Sequence, residues 1–162
     1  MDQLIAEAVA AINSKALTLG LQGTLACIDI AAALASSDGK ASGDRYMAWY
    51  VQHLEPLCSP LSAKDAWALR CGLLHQGRTA SAQYKAVIFT LPDGRGNVLH
   101  RNVLNGALNL DLLTFCQDVL QGVQNWWNVA KDSEPVKTNA THLVRFRQEG
   151  LSPYVVGVPV LA

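Results

Sequence analysis

Arg70 and His75 are the residues of this chain whose types and spacing are best suited to chemistry. They stand five positions apart in the segment Leu69–Arg78, which reads LRCGLLHQGR. An arginine guanidinium grips a phosphate through paired hydrogen bonds, and histidine transfers protons near neutral pH. These two side chains suffice for chemistry at a phosphodiester without a metal or a cofactor. Because short Arg–His pairs are common by chance, the surrounding elements have to support this interpretation.

The pair is predicted to lie near the end of a well-delimited helix. Ser62 and Asp65 form a capping-box pattern at its start, and Gly77 is a left-handed stop. The partial negative charge of a helix C-terminus favours a protonated imidazole at His75. Five residues on a helix correspond to a rotation of about 140° and a rise of about 7.5 Å, so we expect Arg70 and His75 on different faces. A two-fold dimer that sets two such helices side by side would then complete a site of two arginines and two histidines.

The rest of the chain predicts a mainly α protein, an antiparallel helical bundle with small β additions. We expect two helical pieces over residues 3–36 that meet near Gly20 to Gly23, where glycines interrupt the pattern. A β-hairpin is predicted around a turn at residues 92–96, and a pair of short strands around the Glu149–Gly150 turn. The other predicted elements are an aromatic helix at 44–54, hairpin strands at 85–91 and 97–104, a central packing helix at 109–128, and C-terminal strands at 141–147 and 154–160.

Length and charge bound the function. The 162 residues, half of them apolar, fit a single domain with a helical core over about 1–130 and a β appendage over about 131–162. Thirteen basic and thirteen acidic residues cancel, which argues against a generally cationic nucleic-acid binder. Between Lys64 and Arg101, however, six bases face two acids. This local excess predicts an anion-binding face, with Arg78, His100 and Arg101 as weaker candidates for substrate contacts.

The four cysteines, at positions 27, 58, 71 and 116, show no paired spacing. They are typical of buried thiols in a reducing compartment and predict neither a disulfide framework nor a metal site. The N-terminal residues lack the basic region of a signal peptide. The apolar stretch Leu17–Ala35 is interrupted by Gln22 and Asp29, which favours a core helix over a membrane span. We therefore expect a soluble cytoplasmic protein with no metal, no cofactor and no membrane association.

With an R-x-x-x-x-H string near the end of the helix opened by the capping pattern, the chain resembles the HEPN superfamily. The segment Ala68–Gly77, ALRCGLLHQG, is similar to that of an uncharacterised bacterial HEPN-like group, in which it also lies between an aromatic-rich helix and a hairpin. The likeness covers roughly residues 1–130. It implies a bundle of four or five helices that forms a homodimer.

The resemblance also implies a function, since many HEPN domains are metal-independent endoribonucleases. Arg70 would hold the scissile phosphate of RNA and His75 would transfer the proton, with the 2′-hydroxyl as the attacking group and a cyclic phosphate as the product. An antitoxin-type protein is a further partner of such domains. One departure is Cys71, because active members often carry a polar residue directly after the arginine.

Structural alternatives stay open for each candidate. Arg70 could pair with Asp65, Asp44 or Asp29 across helices. His75 could cap the helix C-terminus, and Arg78 could be a solvated loop residue. His100 and Arg101 are expected on the second hairpin strand, on opposite faces, and that strand could be an ordinary surface strand. The alternative function, from a different class, is a non-catalytic HEPN-like dimerisation or ligand-binding module.

Overall fold

The computed structural model describes residues 1–92, 94, 96 and 98–162. About 53% of the chain is helical, which confirms the predicted mainly α class. The predicted turn at 92–96 and the start of the predicted second strand at Asn97 lie partly outside the described residues. The helices are α1 (Asp2–Asn13), α2 (Leu17–Leu34), α3 (Gly43–His53), α4 (Glu55–Cys58), α5 (Ala63–Gln76), α6 (Leu112–Ala130) and α7 (Val136–Asn139), and the strands are β1 (Ala86–Thr90), β2 (Asn102–Leu104), β3 (Ala107–Asp111), β4 (Phe146–Arg147), β5 (Gly150–Leu151), β6 (Val155–Val156) and β7 (Val160–Leu161).

The break between the first two helices lies earlier than the glycines predicted. The chain turns between α1 and α2 at Lys15, which has a φ of 66°, whereas Gly20 lies inside α2 on the face that meets α1. A Cβ on Gly20 would come within 2.4 Å of Ile12 Cγ1. This glycine therefore serves the close approach of two helices, and the predicted meeting point near Gly20 to Gly23 was wrong.

Helix α2 is the central element of the bundle. It packs against α1, α3, α5 and α6, and residues such as Leu25 and Ile28 are fully buried. Within the described ranges, α2 is also the one helix long and apolar enough to cross a membrane by length and composition, and half of it is buried inside the protein. This packing agrees with the predicted core helix and supplies a buried position for the carboxylate of Asp29.

The three-stranded sheet differs from the predicted hairpin. Its order is β1–β3–β2, with β1 parallel to β3 and β2 antiparallel to β3, so the two predicted strands are not neighbours. The hairpin joins β2 to β3 through Asn105 and Gly106, which have φ angles of 51° and 83°. An Asn-Gly pair with two positive φ angles is a strong signal for a two-residue hairpin turn. The predicted start of the long helix at residue 109 was also wrong, because β3 occupies residues 107–111 and α6 begins at Leu112.

The C-terminal appendage contains short strands, as predicted, but with different bounds. Strand β4 pairs with β7 and β5 pairs with β6, both antiparallel, so one hairpin is nested inside the other. Residues 141 and 142, predicted to begin a strand, belong instead to a 3₁₀ turn over Ala140–His142. Several apolar side chains of the appendage are exposed, including Tyr154 and Val156.

Candidate functional site

Helix α5 begins and ends as the sequence predicted. The hydroxyl of Ser62 accepts a hydrogen bond from the backbone N–H of Asp65 at 3.2 Å, and Gly77 closes the helix in the left-handed conformation with a φ of 65°. Arg70 lies in the middle of this 14-residue helix and is half-buried, whereas His75 lies in its final turn and is exposed. The helix therefore places a partly enclosed cation about one and a half turns before a solvent-accessible imidazole.

The structure brings Arg70 and His75 into contact within one helix. Arg70 Nη1 lies 2.9 Å from His75 Nε2, although the helical positions differ by about 140°. The long arginine side chain spans this difference by running along the helix surface. The expectation that one helix cannot bring the two side chains together was therefore wrong, while the composite site shared by two protomers stays a prediction.

The partner of Arg70 from another helix is Asp29 on α2. Arg70 Nη2 donates to Asp29 Oδ2 in an ion pair whose side chains are only 17% and 11% exposed. Asp29 is thus the one of the three proposed carboxylate partners that pairs with Arg70. Asp29 Oδ1 and Arg70 Nε are both buried and make no hydrogen bond with a described residue. A small rotation that joined these two atoms would complete a bidentate pair on one edge of the guanidinium.

The contact between Arg70 and His75 sets the hydrogen-bonding role of the imidazole. A guanidinium can only donate hydrogen bonds, so Nε2 of His75 is the acceptor in this arrangement. The preference of the helix C-terminus for a protonated ring stays a prediction.

The indole of Trp67 lies against the guanidinium of Arg70. Arg70 Cζ is 5.2 Å from the ring centroid, which is within the range of a cation–π contact. Trp67 is in turn packed against Tyr46 of α3, with ring centroids 5.2 Å apart. Arg70 is therefore contacted from three directions, by Asp29, His75 and Trp67.

The loop that follows α5 is held down by the fully buried carboxylate of Asp65. Asp65 Oδ1 accepts hydrogen bonds from Ser81 Oγ at 2.8 Å and from the backbone N–H groups of Ala82 and Gln83 at 2.9 and 3.0 Å. Burial alone would raise the pKa of Asp65, but the hydrogen bonds from Ser62, Ser81 and these amides outweigh it, so the pKa is lowered. Asp65 therefore serves loop structure, and it is not available to Arg70.

Arg78 lies in this loop, one residue beyond Gly77, and it is exposed. Its backbone N–H donates to the carbonyl of Gly72 at 3.2 Å, so its position follows the end of α5. A Cβ on Gly72 would come within 2.6 Å of the carbonyl oxygen of Arg78. The backbone of Arg78 is thus held against α5, while its side chain extends into solvent.

His100 and Arg101 lie elsewhere, and the structure corrects their predicted placement. Both precede β2, which begins at Asn102, and Arg101 has a φ of 59°. Both side chains approach Asp118 of α6, at 4.0 Å for His100 Nε2 and 2.6 Å for Arg101 Nη2. They therefore share one partner and do not occupy opposite faces of a strand. Among the described residues neither one forms a hydrogen bond or an ion pair with Arg70 or His75.

The predicted basic face is partly neutralised by carboxylates from outside the segment. Arg70 pairs with Asp29 and Arg101 pairs with Asp118. Lys64, Arg78 and Lys85 are exposed, and Arg95 lies outside the described residues. Among the described positions of this segment, Lys64, Arg78 and Lys85 are therefore the cations without an ion pair.

The cysteines agree with the prediction of buried thiols at three positions. Burial raises the pKa of Cys27, Cys58 and Cys116 to about 11 in each case. All four cysteines are free, and Cys71 is half-buried. In the described ranges no three His, Cys, Asp or Glu side chains come together as metal ligands would.

Comparison of the chain with protein-family models, with curated proteins and with solved structures finds no match. The function therefore has to be argued from the geometry of this cluster of Asp29, Arg70, His75 and Trp67. The sequence pointed to Arg70 and His75 directly and offered Asp29 among three carboxylates. The sequence did not single out Trp67, although its spacing of three residues from Arg70 places the two side chains on adjoining parts of the helix surface.

Proposed function

We propose that the protein is a HEPN-like endoribonuclease that cleaves RNA without a metal ion through Arg70 and His75. The observation that carries the proposal is the 2.9 Å contact between Arg70 Nη1 and His75 Nε2 at the exposed end of α5. It joins a phosphate-binding cation to an imidazole nitrogen that acts as a hydrogen-bond acceptor, the role that a general base requires.

The hydrogen-bond inventory of Arg70 leaves room for a phosphate. A guanidinium has five N–H donors, two on each terminal nitrogen. Asp29 uses one donor of Nη2 and His75 uses one donor of Nη1. With respect to the described residues, one N–H therefore remains on each terminal nitrogen, and this pair matches the spacing of two phosphate oxygens. Asp29 occupies the inner side of the guanidinium and holds this outer edge toward His75.

The proposed reaction proceeds by attack of the RNA 2′-hydroxyl on the adjacent phosphorus. Arg70 transfers its hydrogen bond from His75 to a phosphate oxygen, which frees Nε2 for the hydroxyl. The bond between the 2′-oxygen and phosphorus forms while the bond between phosphorus and the 5′-oxygen breaks, and the 2′-hydroxyl proton passes to His75. The imidazolium then protonates the departing 5′-oxygen. The products are a 2′,3′-cyclic phosphate and a 5′-hydroxyl, and Arg70 stabilises the charge that develops on the phosphate.

From the resemblance to HEPN domains, we further propose that the protein forms a homodimer and binds an antitoxin-type protein partner. Because one protomer contains both Arg70 and His75 in contact, dimerisation would act by placing two complete sites near each other. Arg78, exposed one residue beyond the helix, is the described residue best placed for a neighbouring phosphate of the same strand. The cytoplasm, where the four cysteines stay reduced, is the proposed location.

A second candidate function is a non-catalytic HEPN-like dimerisation or ligand-binding module. The ion pair between Arg70 and Asp29 favours it, because the carboxylate cancels the charge of the arginine and both side chains are largely buried. In that case Arg70 would stabilise the contact between α5 and α2, and Cys71 would occupy the position that is often polar in active members.

Cleavage of a mixed RNA pool in excess chelator tests the proposal. We expect the wild-type protein to release 2′,3′-cyclic phosphate ends, and Arg70→Ala and His75→Ala each to abolish release. His142→Ala removes another exposed histidine, on the 3₁₀ turn after α7, and is the matched control. Light scattering on every variant establishes whether the oligomeric state is retained.

Two results would contradict the ribonuclease proposal. One is wild-type protein that leaves the RNA intact, and the other is Arg70→Ala or His75→Ala protein that cuts as fast as His142→Ala. In either case the ion-paired scaffold becomes the better interpretation. Arg70→Lys separates charge from geometry, since lysine keeps the charge but cannot present two parallel N–H groups.

A further inference from the structure

The guanidinium of Arg70 is contacted both at its edges, by hydrogen bonds, and over its planar face, by an aromatic ring. Asp29 and His75 contact the terminal nitrogens, and these contacts leave the guanidinium free to tilt about the line that joins them. The indole of Trp67, with its centroid 5.2 Å from Arg70 Cζ, restricts this tilt. A planar cation over an aromatic ring is attracted by the negative face of the ring. The plane of the guanidinium therefore depends on where the indole lies.

The position of the indole is in turn set by α3. Tyr46 packs against Trp67 with ring centroids 5.2 Å apart and an interplanar angle of 55°. Tyr46 is completely buried, so it has no room to yield. Gly43, at the start of α3, leaves the space that the indole occupies, because a Cβ there would lie 2.9 Å from Trp67 Cε2. Two residues of α3 thus fix Trp67 from the side opposite to solvent.

We propose that Trp67 is a positioning residue for Arg70, held in place by Tyr46 and Gly43 of α3, and that it sets the orientation in which Arg70 presents its outer edge to a phosphate. The catalytic importance of this role rests on the proposed ribonuclease function, but the orientation itself does not. A packing residue without this role would contribute to stability alone. Trp67 contributes in addition to the direction of two N–H bonds, which is what in-line attack at phosphorus requires.

Nuclear magnetic resonance of the arginine Nε–H groups tests the orientation without relying on activity. The Nε–H of Arg70 is buried without a hydrogen-bond acceptor among the described residues, so its proton shift reports on the neighbouring ring. We expect an upfield ring-current shift in the wild type, assigned by its disappearance in Arg70→Lys. Trp67→Leu should remove the shift and Trp67→Phe should retain most of it. Gly43→Ala should change it by displacing the indole.

Trp126→Leu is the matched control, because Trp126 is also half-buried but packs against Trp49. It should leave the Arg70 resonance in place. The proposal is overturned if Trp67→Leu leaves the shift unchanged, if Trp126→Leu moves it as far, or if the wild-type proton resonates where that of a free arginine does. Should Trp67→Leu not fold, Trp67→Phe and Gly43→Ala decide by the same comparison.

The RNA assay adds the catalytic readout. We expect kcat/KM to fall about tenfold to a hundredfold in Trp67→Leu, since misplacing a positioned group by about 1 Å costs up to that much, and to recover in Trp67→Phe. If cleavage falls equally in Trp126→Leu, the loss reflects general destabilisation and the positioning role in catalysis is refuted. If the wild type does not cleave RNA, the ribonuclease proposal fails, while the resonance of Arg70 still decides the role of Trp67.

Discussion

A double-mutant cycle on Asp29 and Arg70 measures the interaction on which both candidate functions depend. The two side chains are 11% and 17% exposed, so their charges interact largely through protein. Two unit charges 4 Å apart attract by about 4 kcal/mol at an effective dielectric constant of 20. Part of this attraction is lost because both groups leave water on folding. We therefore expect a coupling of about 2 kcal/mol in the free energy of unfolding, toward the upper part of the range for contacting residues.

The assay is urea denaturation at pH 7 of the wild type, Asp29→Asn, Arg70→Ala and the double variant. Arg45 and Asp38 provide the matched control cycle, because they also form an arginine–aspartate pair, 2.5 Å apart, but with side chains 36% and 47% exposed. Water screens such a pair, so its coupling should be clearly smaller. A coupling for Asp29 and Arg70 no larger than that of the control would refute the reasoning from burial. Asp29→Asn should in addition slow RNA cleavage, because the guanidinium then loses its inner anchor.

Three further variants test how the site is supported. Asp65→Asn should lower the free energy of unfolding by about 2–3 kcal/mol at pH 7, since hydrogen bonds to a buried charge are lost. Because folding lowers the pKa of Asp65, the stabilisation by its carboxylate is present above the unfolded pKa of about 4 and disappears as the pH falls through the folded pKa. An equal loss of stability at pH 7 and pH 3 would contradict this. Gly72→Ala should cost about 2 kcal/mol by urea denaturation, because the added Cβ meets the carbonyl oxygen of Arg78 at 2.6 Å; no loss would mean that the loop moves freely. Gly106→Ala places a side chain at a φ of 83° and should lower thermal stability by roughly 1 kcal/mol, whereas unchanged melting would argue against the tight turn before β3.

The helices could be predicted closely where capping residues mark their ends. Ser62 and Gly77 delimit α5 because their side-chain and backbone preferences act within one turn of the chain. The glycines of α2 misled the prediction for a physical reason. A glycine inside a helical pattern marks either a break or a close approach of another helix, and only the packing of Ile12 against Gly20 distinguishes them.

For the sheet, the sequence contains a local turn signal that the predicted hairpin did not use. Asn105 and Gly106 carry the sequence signature of a two-residue hairpin turn, and it assigns β2 and β3 as neighbours without any tertiary information. What the sequence cannot provide is the parallel pairing of β1 with β3. That pairing depends on residues about twenty positions apart and is selected by the burial of Leu108 and Leu110 against the helices.

At the site, the length of the arginine side chain allows the contact between Arg70 and His75, which backbone geometry alone did not predict. Rotation and rise are properties of the backbone, and they place Arg70 and His75 apart, but an arginine reaches several ångströms beyond its Cβ. The choice of Asp29 over Asp44 and Asp65 also lay beyond the sequence. Asp65 is fully occupied by Ser62 and the loop after α5, and Asp44 is exposed at the start of α3. Among the described residues, α2 is therefore the one element that brings a carboxylate to Arg70.

An ion pair of this kind does not by itself mark Arg70 as structural. A lysine ammonium concentrates its three donors on one nitrogen, whereas a guanidinium spreads five donors over three nitrogens in one plane. Asp29 takes the inner side, which fixes Arg70 and lowers the entropy that binding a phosphate must overcome. The cost is a nearly neutral site, so recognition of RNA would have to come from the number and direction of hydrogen bonds rather than from net charge. The orientation of the guanidinium, set by Asp29 and Trp67, is therefore the property on which activity at this site would depend most.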